Sequence, residues 1–112
     1  MIKISLRENY KNLTAVYGKA HQLKFSEYGY TCISEKNHFQ DEIKLQLPLL
    51  LNDSHHLLFE FYSLDLNKKK ISCIGMSFLP LCNNGIFECS THNDIPIYST
   101  LPEDGYLDAD LP

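Results

Sequence analysis

Residues 53–66 read DSHHLLFEFYSLDL, and the fold turns on whether this stretch is chemistry or framework. An acid, a serine and two adjacent histidines open it, a set that invites a catalytic or metal-binding reading. Beyond the histidines the chain alternates: Leu57, Phe59 and Phe61 fall on one side of an extended strand, Leu58, Glu60 and Tyr62 on the other. If the strand begins at His55, that ring joins the apolar side and His56 joins the Leu58 side. The two imidazoles then point in opposite directions and cannot share an ion or relay a proton without breaking the strand. Asp53 and Ser54 belong to the preceding turn, where short polar side chains bond the local backbone. The sequence thus predicts that His55 closes the rim of the core, that His56 is a cross-strand surface residue, and that neither is catalytic.

The same period of two recurs to either side. IKISL sends Ile2, Ile4 and Leu6 to one face and Lys3 and Ser5 to the other. LTAVY and YGYTCIS are further candidates, and EIKLQL turns Ile43, Leu45 and Leu47 inward before Pro48 stops it. ISCIGMSFL comes next, up to Pro80, then the weaker IFEC and DIPIY. The linkers RENYKN, SEKNHF, LLLNDS and LCNNG are turn-like, and Asn84-Gly85 is a strong turn dipeptide. No segment has helical spacing. Roughly seven or eight short strands at this interval predict an all-β antiparallel sandwich or small barrel. The length of 112 residues suits a single domain, 1–112. Its end, LPEDGYLDADLP, is acidic and proline-flanked, so 103–112 is expected to be an acidic surface tail.

Composition narrows the function. The net charge of −4 argues against nucleic acid as a partner, though all ten basic residues lie at or before Lys70, so one end of the fold can still be positive. There is no apolar run of the roughly 20 residues that span a bilayer, and MIKISLRENY has no secretory apolar region, so a cytoplasmic protein with reduced cysteines is expected. CNNGIFECSTH brings Cys82, Cys89 and His92 close in sequence but lacks a CxxC and a fourth ligand, so no metal is expected. Asp41 and Glu42 are adjacent at a strand start and diverge, a poor acid–base pair. With no GxSxG, glycine-rich phosphate loop or HExxH, the sequence predicts neither an enzyme nor a cofactor.

The segment FQDEIKLQLPLLLNDSHHLLFEFY, with its acidic pair, its strand ending in Leu-Pro and its Ser-His-His-Leu-Leu-Phe, has a specific likeness. It resembles the lipid-binding C2-type domain, the first DOCK-homology region, of the DOCK (dedicator of cytokinesis) family of exchange factors for Rho-type GTPases. IKISLREN, VYGK and YGYTCIS precede it in the family's order, and IGMSFLPLCNNG and IPIYSTLPEDGYL come after it. The resemblance implies a C2-like sandwich without the family's terminal strand at each end, and without its separate exchange domain. It places the histidine pair in the framework.

The resemblance also implies calcium-independent binding of phosphoinositides through basic loops at one end of the sandwich, and peripheral recruitment to membrane. Alternate loops of an antiparallel sheet share an end. On that count Lys19, His21 and Lys24 are expected beside Leu49, Leu50 and Leu51, and this is the lipid-facing end that the resemblance implies. Arg7, Lys11, Lys36, Lys68, Lys69 and Lys70, with His38, form an alternative basic patch at the other end. As plain structure, the lysine run is a solvated loop and the leucines cover the bottom of the core. Asp53 and Asp65 come after successive strands and so fall at opposite ends, a poor calcium site. Protein partners, met through the acidic C-terminal third or an open strand edge, are a second expectation, and an inactive domain fragment is a third.

Overall fold

The computed structural model describes residues 1–17, 25–31, 43–83, 86–87, 95–102 and 105–107, and among these every regular element is a strand. In chain order they are β1 (Ile2–Glu8), β2 (Lys11–Asn12), β3 (Val16–Tyr17), β4 (Phe25–Ser26), β5 (Gly29–Thr31), β6 (His55–Asp65), β7 (Lys70–Pro80), β8 (Cys82–Asn83) and β9 (Ile86–Phe87). All pairings are antiparallel. One five-stranded sheet carries the fold: β1 lies beside β6, β6 beside β7, and β2 and β5 share the far edge of β1. β3 pairs with β4 and β8 with β9 as two-stranded ribbons.

The long β6–β7 hairpin forms because both segments are rich in aromatic and branched apolar residues, which suit a pleated surface. Asp65 starts its turn by accepting the backbone N–H groups of Asn67 (3.0 Å) and Lys68 (3.2 Å). A bulge at Ile74 shifts the register between Phe61–Gly75 and Tyr62–Cys73. Gly75 has a packing reason to be glycine, since a Cβ there would lie 2.8 Å from Ile97 Cγ2. That close approach lets Tyr98 bridge to Met76 through two backbone bonds of 2.7 Å on the outer edge of β7.

Alternation gives the sheet two faces, and each is covered. On one, Ile2, Ile4 and Phe59 are buried, with Ile43, Leu57, Phe61, Leu79 and Ile95 packed against them. On the other, Leu58, Leu101 and Tyr106 are buried beneath Tyr10, Met76, Phe78, Tyr98 and Leu107. The second cluster corrects two expectations. His56 is fully buried rather than a surface residue, because Tyr106 lies over its face beside Leu101. For the same reason Tyr106, inside the expected surface tail, is a core residue at 1% exposure; positions 108–112 lie outside the described residues. Ser5 is buried likewise, so β1 is covered on both faces rather than half-buried.

In the described part of the expected strand EIKLQL, residues 43–47, the ladder reduces to a bridge between Leu45 and Val16, with Leu47 exposed, and in residues 95–98 of DIPIY to the Tyr98 bridge. LTAVY and YGYTCIS keep only β3 and β5 as strands, Cys32 and beyond lying outside the described residues.

Candidate functional site

β1 fixes what stands at each end of the sheet. Glu8 pairs with His55 and Ile2 with Phe61, so the β1–β2 turn lies at the start of β6 and the β6–β7 turn at the opposite end. The Asn9 N–H donates to the Ser54 carbonyl at 3.0 Å, fastening the β1–β2 turn to the loop before β6. Arg7 and Lys11 therefore share an end with Leu49–Leu51 and are separated from Lys68–Lys70 by the length of an 11-residue strand, about 35 Å. The alternative basic patch is thus two separate regions. Lys19, His21, Lys24, Lys36 and His38 lie outside the described residues.

The loop ahead of β6 presents its leucines to solvent. Leu49 and Leu50 are 103% and 86% exposed, while Leu51 is half-buried, so the first two do not cover the core. The loop is held from behind: the Asn52 N–H donates to His55 Nδ1 at 3.0 Å, and Asn52 Oδ1 accepts the Ser54 N–H at 2.9 Å. The Leu-Leu tip is thus an exposed apolar feature on a loop anchored by side-chain hydrogen bonds. Lys11, Glu8 and Asp53 stand around it as exposed charges.

The histidines occupy opposite faces, as alternation requires. His55 accepts from Asn52 through Nδ1, which puts its ring proton on Nε2, 3.8 Å from Glu8 Oε2. His56 Nδ1 faces the Ser54 carbonyl at 3.0 Å and so must donate, leaving Nε2 to accept from the Tyr106 hydroxyl. Burial holds the His56 pKa below its ordinary value; Arg7 and His55 lower it further, against the hydrogen bond to Ser54. Burial pushes the Tyr106 hydroxyl up, with Arg7 opposing. The pair is a structural lock between β6 and Tyr106.

Above that lock the sheet carries a cleft of about 500 Å³, bounded by Arg7, Tyr10, Glu60, Met76, Pro102 and Tyr106. Arg7 Nε donates to Asn12 Oδ1 at 2.7 Å and Nη1 to the Tyr106 hydroxyl at 3.4 Å, so this guanidinium is a framework donor rather than a free loop cation. Glu60 accepts from the Tyr62 hydroxyl at 2.8 Å, and burial together with that bond pushes the Tyr62 pKa up to about 12. Sequence reasoning missed Tyr10 and Tyr106 here. The available signal was an aromatic ring in each of two otherwise turn-like stretches, RENYKN and LPEDGYLDADLP.

The opposite end is built differently. From Ser63 to Ile74 the hairpin forms an arm whose residues are all exposed. Leu64 pairs directly with Ile71, Leu66 sits in the turn, and Lys68–Lys70 come next. Among the described residues no three His, Cys, Asp or Glu side chains are grouped to hold a metal ion, and no helix is long and apolar enough to cross a membrane. Cys73 is exposed and Cys82 buried, both as free thiols; Cys89 and His92 lie outside the described residues.

The model of the C2 domain in Dock180 and Zizimin proteins matches residues 1–112. Among curated relatives, dedicator of cytokinesis protein 11 of Danio rerio is 32% identical over 118 aligned positions, which cover 94% of this chain and 6% of the relative. Dedicator of cytokinesis protein 9 of Mus musculus gives the same identity and coverage. Dedicator of cytokinesis protein 7 of Homo sapiens is 34% identical over 80 positions, 65% of this chain and 4% of the relative. The chain thus spans a small fraction of the length of these relatives. With an antiparallel architecture that is all strand among the described residues and covered on both faces of its main sheet, the chain is a C2-like β-sandwich and belongs to the family of C2 domains found in Dock180 and Zizimin proteins.

Proposed function

We propose that this chain is a membrane-targeting module that binds phosphoinositide lipids and localises a guanine-nucleotide exchange factor of the dedicator of cytokinesis type, acting on Rho-family GTPases, at the cytoplasmic face of a membrane. The chain itself performs no exchange chemistry in this reading. The observation that carries it is the loop before β6, where Leu49 and Leu50 stand out from the end of a family C2 fold with no core to cover. Leucines at such a tip enter the interfacial zone of a bilayer, and lysines beside them neutralise lipid phosphates. Lys19, His21 and Lys24 are the proposed head-group ligands, and Leu49, Leu50 and Leu51 the proposed apolar contact.

The test is co-sedimentation of the chain with phosphatidylcholine vesicles, with and without added phosphoinositide, in calcium and in chelator. Binding is expected only with phosphoinositide, unchanged by chelation, and lost on Lys19→Glu with Lys24→Glu. Head-group-dependent binding that ignores both charge reversals rejects this patch. Absence of vesicle binding, with capture of a defined protein domain from a dedicator of cytokinesis relative, gives the chain to protein–protein interaction instead.

A further inference from the structure

We propose that the β6–β7 arm, Ser63–Ile74, is a second membrane contact that docks on an anionic bilayer without needing a phosphoinositide. In this contact Leu66 and the Leu64–Ile71 pair enter the interfacial zone, and Lys68, Lys69 and Lys70 meet the lipid phosphates. The inference rests on the proposed function only in assuming that the chain meets a bilayer.

Three observations carry it. Leu64, Leu66, Ile71 and Ile74 on the arm are exposed and belong to neither buried cluster of the described residues. A two-stranded ribbon is marginal in water by itself, and exposing four large aliphatic residues on one is a standing cost unless something covers them. Charge then selects the cover. Three lysines sit at the tip against one carboxylate, Asp65, whose Oδ1 is already taken by the turn's own N–H groups. A narrow protrusion with apolar groups at its end and flexible ammonium groups beside them suits a negatively charged lipid surface, where the lysine stems lie along the acyl boundary and the ammonium groups reach the phosphates.

The chain contains no tryptophan, so Leu66→Trp at the exposed turn gives a single reporter that disturbs no core contact, and Leu50→Trp gives the same reporter at the far end. With vesicles of phosphatidylcholine and phosphatidylserine, about one anionic lipid in three and no phosphoinositide, the Leu66→Trp emission should shift to the blue and be quenched by brominated acyl chains. The triple variant Lys68→Glu, Lys69→Glu, Lys70→Glu should bind those vesicles at least about tenfold more weakly. A blue shift in Leu66→Trp, with or without one in Leu50→Trp, supports the arm. A shift confined to Leu50→Trp, or a triple variant that sediments like the parent, overturns it while leaving the loop reading intact. A concentration-dependent blue shift of Leu66→Trp without vesicles would give the arm to a second copy of the chain and also overturn it. Failure of phosphoinositide-dependent binding alone bears on the loop and not on the arm.

Discussion

His56 Nε2 accepts a hydrogen bond from the hydroxyl of Tyr106, joining β6 to a segment fifty residues further along the chain. The contact continues on both sides, to the Ser54 carbonyl through Nδ1 and to Arg7 Nη1 through the phenol oxygen. Tyr106 also packs edge-on to Tyr10, with ring centroids 4.9 Å apart. Tyr106→Phe keeps the ring and removes only the hydroxyl, leaving a buried imidazole acceptor without its donor. The expected loss is about 1–3 kcal/mol, read as a lower urea midpoint with an unchanged denaturant slope.

The same burial makes stability depend on pH. The folded protein holds the His56 pKa below the ordinary imidazole value of about 6.5, so the unfolded chain takes up a proton first as the solution is acidified. Stability from this site is therefore complete above pH about 6.5 and falls as pH drops from there towards the depressed folded value. Urea midpoints measured downward from neutrality should decline, and His56→Gln should flatten the part of that decline that begins near the imidazole range. An equal decline in the variant would assign the effect to other groups.

Two neighbouring histidines are expected to be opposite tautomers. His55 receives the Asn52 N–H on Nδ1 and so carries its proton on Nε2, whereas His56 donates from Nδ1 to Ser54 and keeps Nε2 bare. Long-range nitrogen–proton correlation spectra at neutral pH should show one ring of each kind. Two rings of the same tautomer would break one of the two hydrogen-bond assignments.

The face each residue of β6 takes was legible because Leu57, Phe59 and Phe61 alternate with Leu58 and Glu60, and a strand can satisfy that pattern in one way. Alternation says which residues share a face, but not how many faces are covered. His56 is buried because Leu101 and Tyr106 come from a stretch whose composition resembles a solvated tail, and no local pattern announces their docking. EIKLQL shows the converse limit, since its apolar side chains alternate yet its described residues form no strand and meet the rest of the chain through a bridge at Leu45 and a backbone bond from Gln46 to Ala15. Leu49 and Leu50 were legible as candidates for a lipid contact, but their exposure depends on how Asn52 and His55 turn the loop.

Apolar content alone would make Leu58 and Leu64 equivalent, and the structure separates them. Leu58 is fully buried between β1 and β7, while Leu64 is exposed opposite Ile71. Leu58→Ala should cost about 2–5 kcal/mol, and Leu64→Ala should stay within about 0.5 kcal/mol of the parent. Amide hydrogen exchange should show the same gradient, slow from Leu57 to Phe61 and fast from Ser63 to Ser72. Uniform protection along the hairpin would mean that the arm is covered within the chain.

Leu49→Ser with Leu50→Ser tests whether the loop before β6 contributes to the fold or to a surface. Both side chains are exposed and touch no core cluster, so their loss should leave the urea midpoint within about 0.5 kcal/mol of the parent. In the proposed membrane contact each leucine moves out of water, a transfer of up to roughly 1.5–3 kcal/mol when complete. Even partial entry of the pair would then weaken binding to phosphoinositide vesicles by at least about tenfold. A variant that is stable and still binds fully would leave the lysines as the sole lipid ligands and the leucines outside the bilayer. A variant that unfolds would instead show that the loop covers apolar surface despite its exposure, since an open leucine tip has no packing to lose.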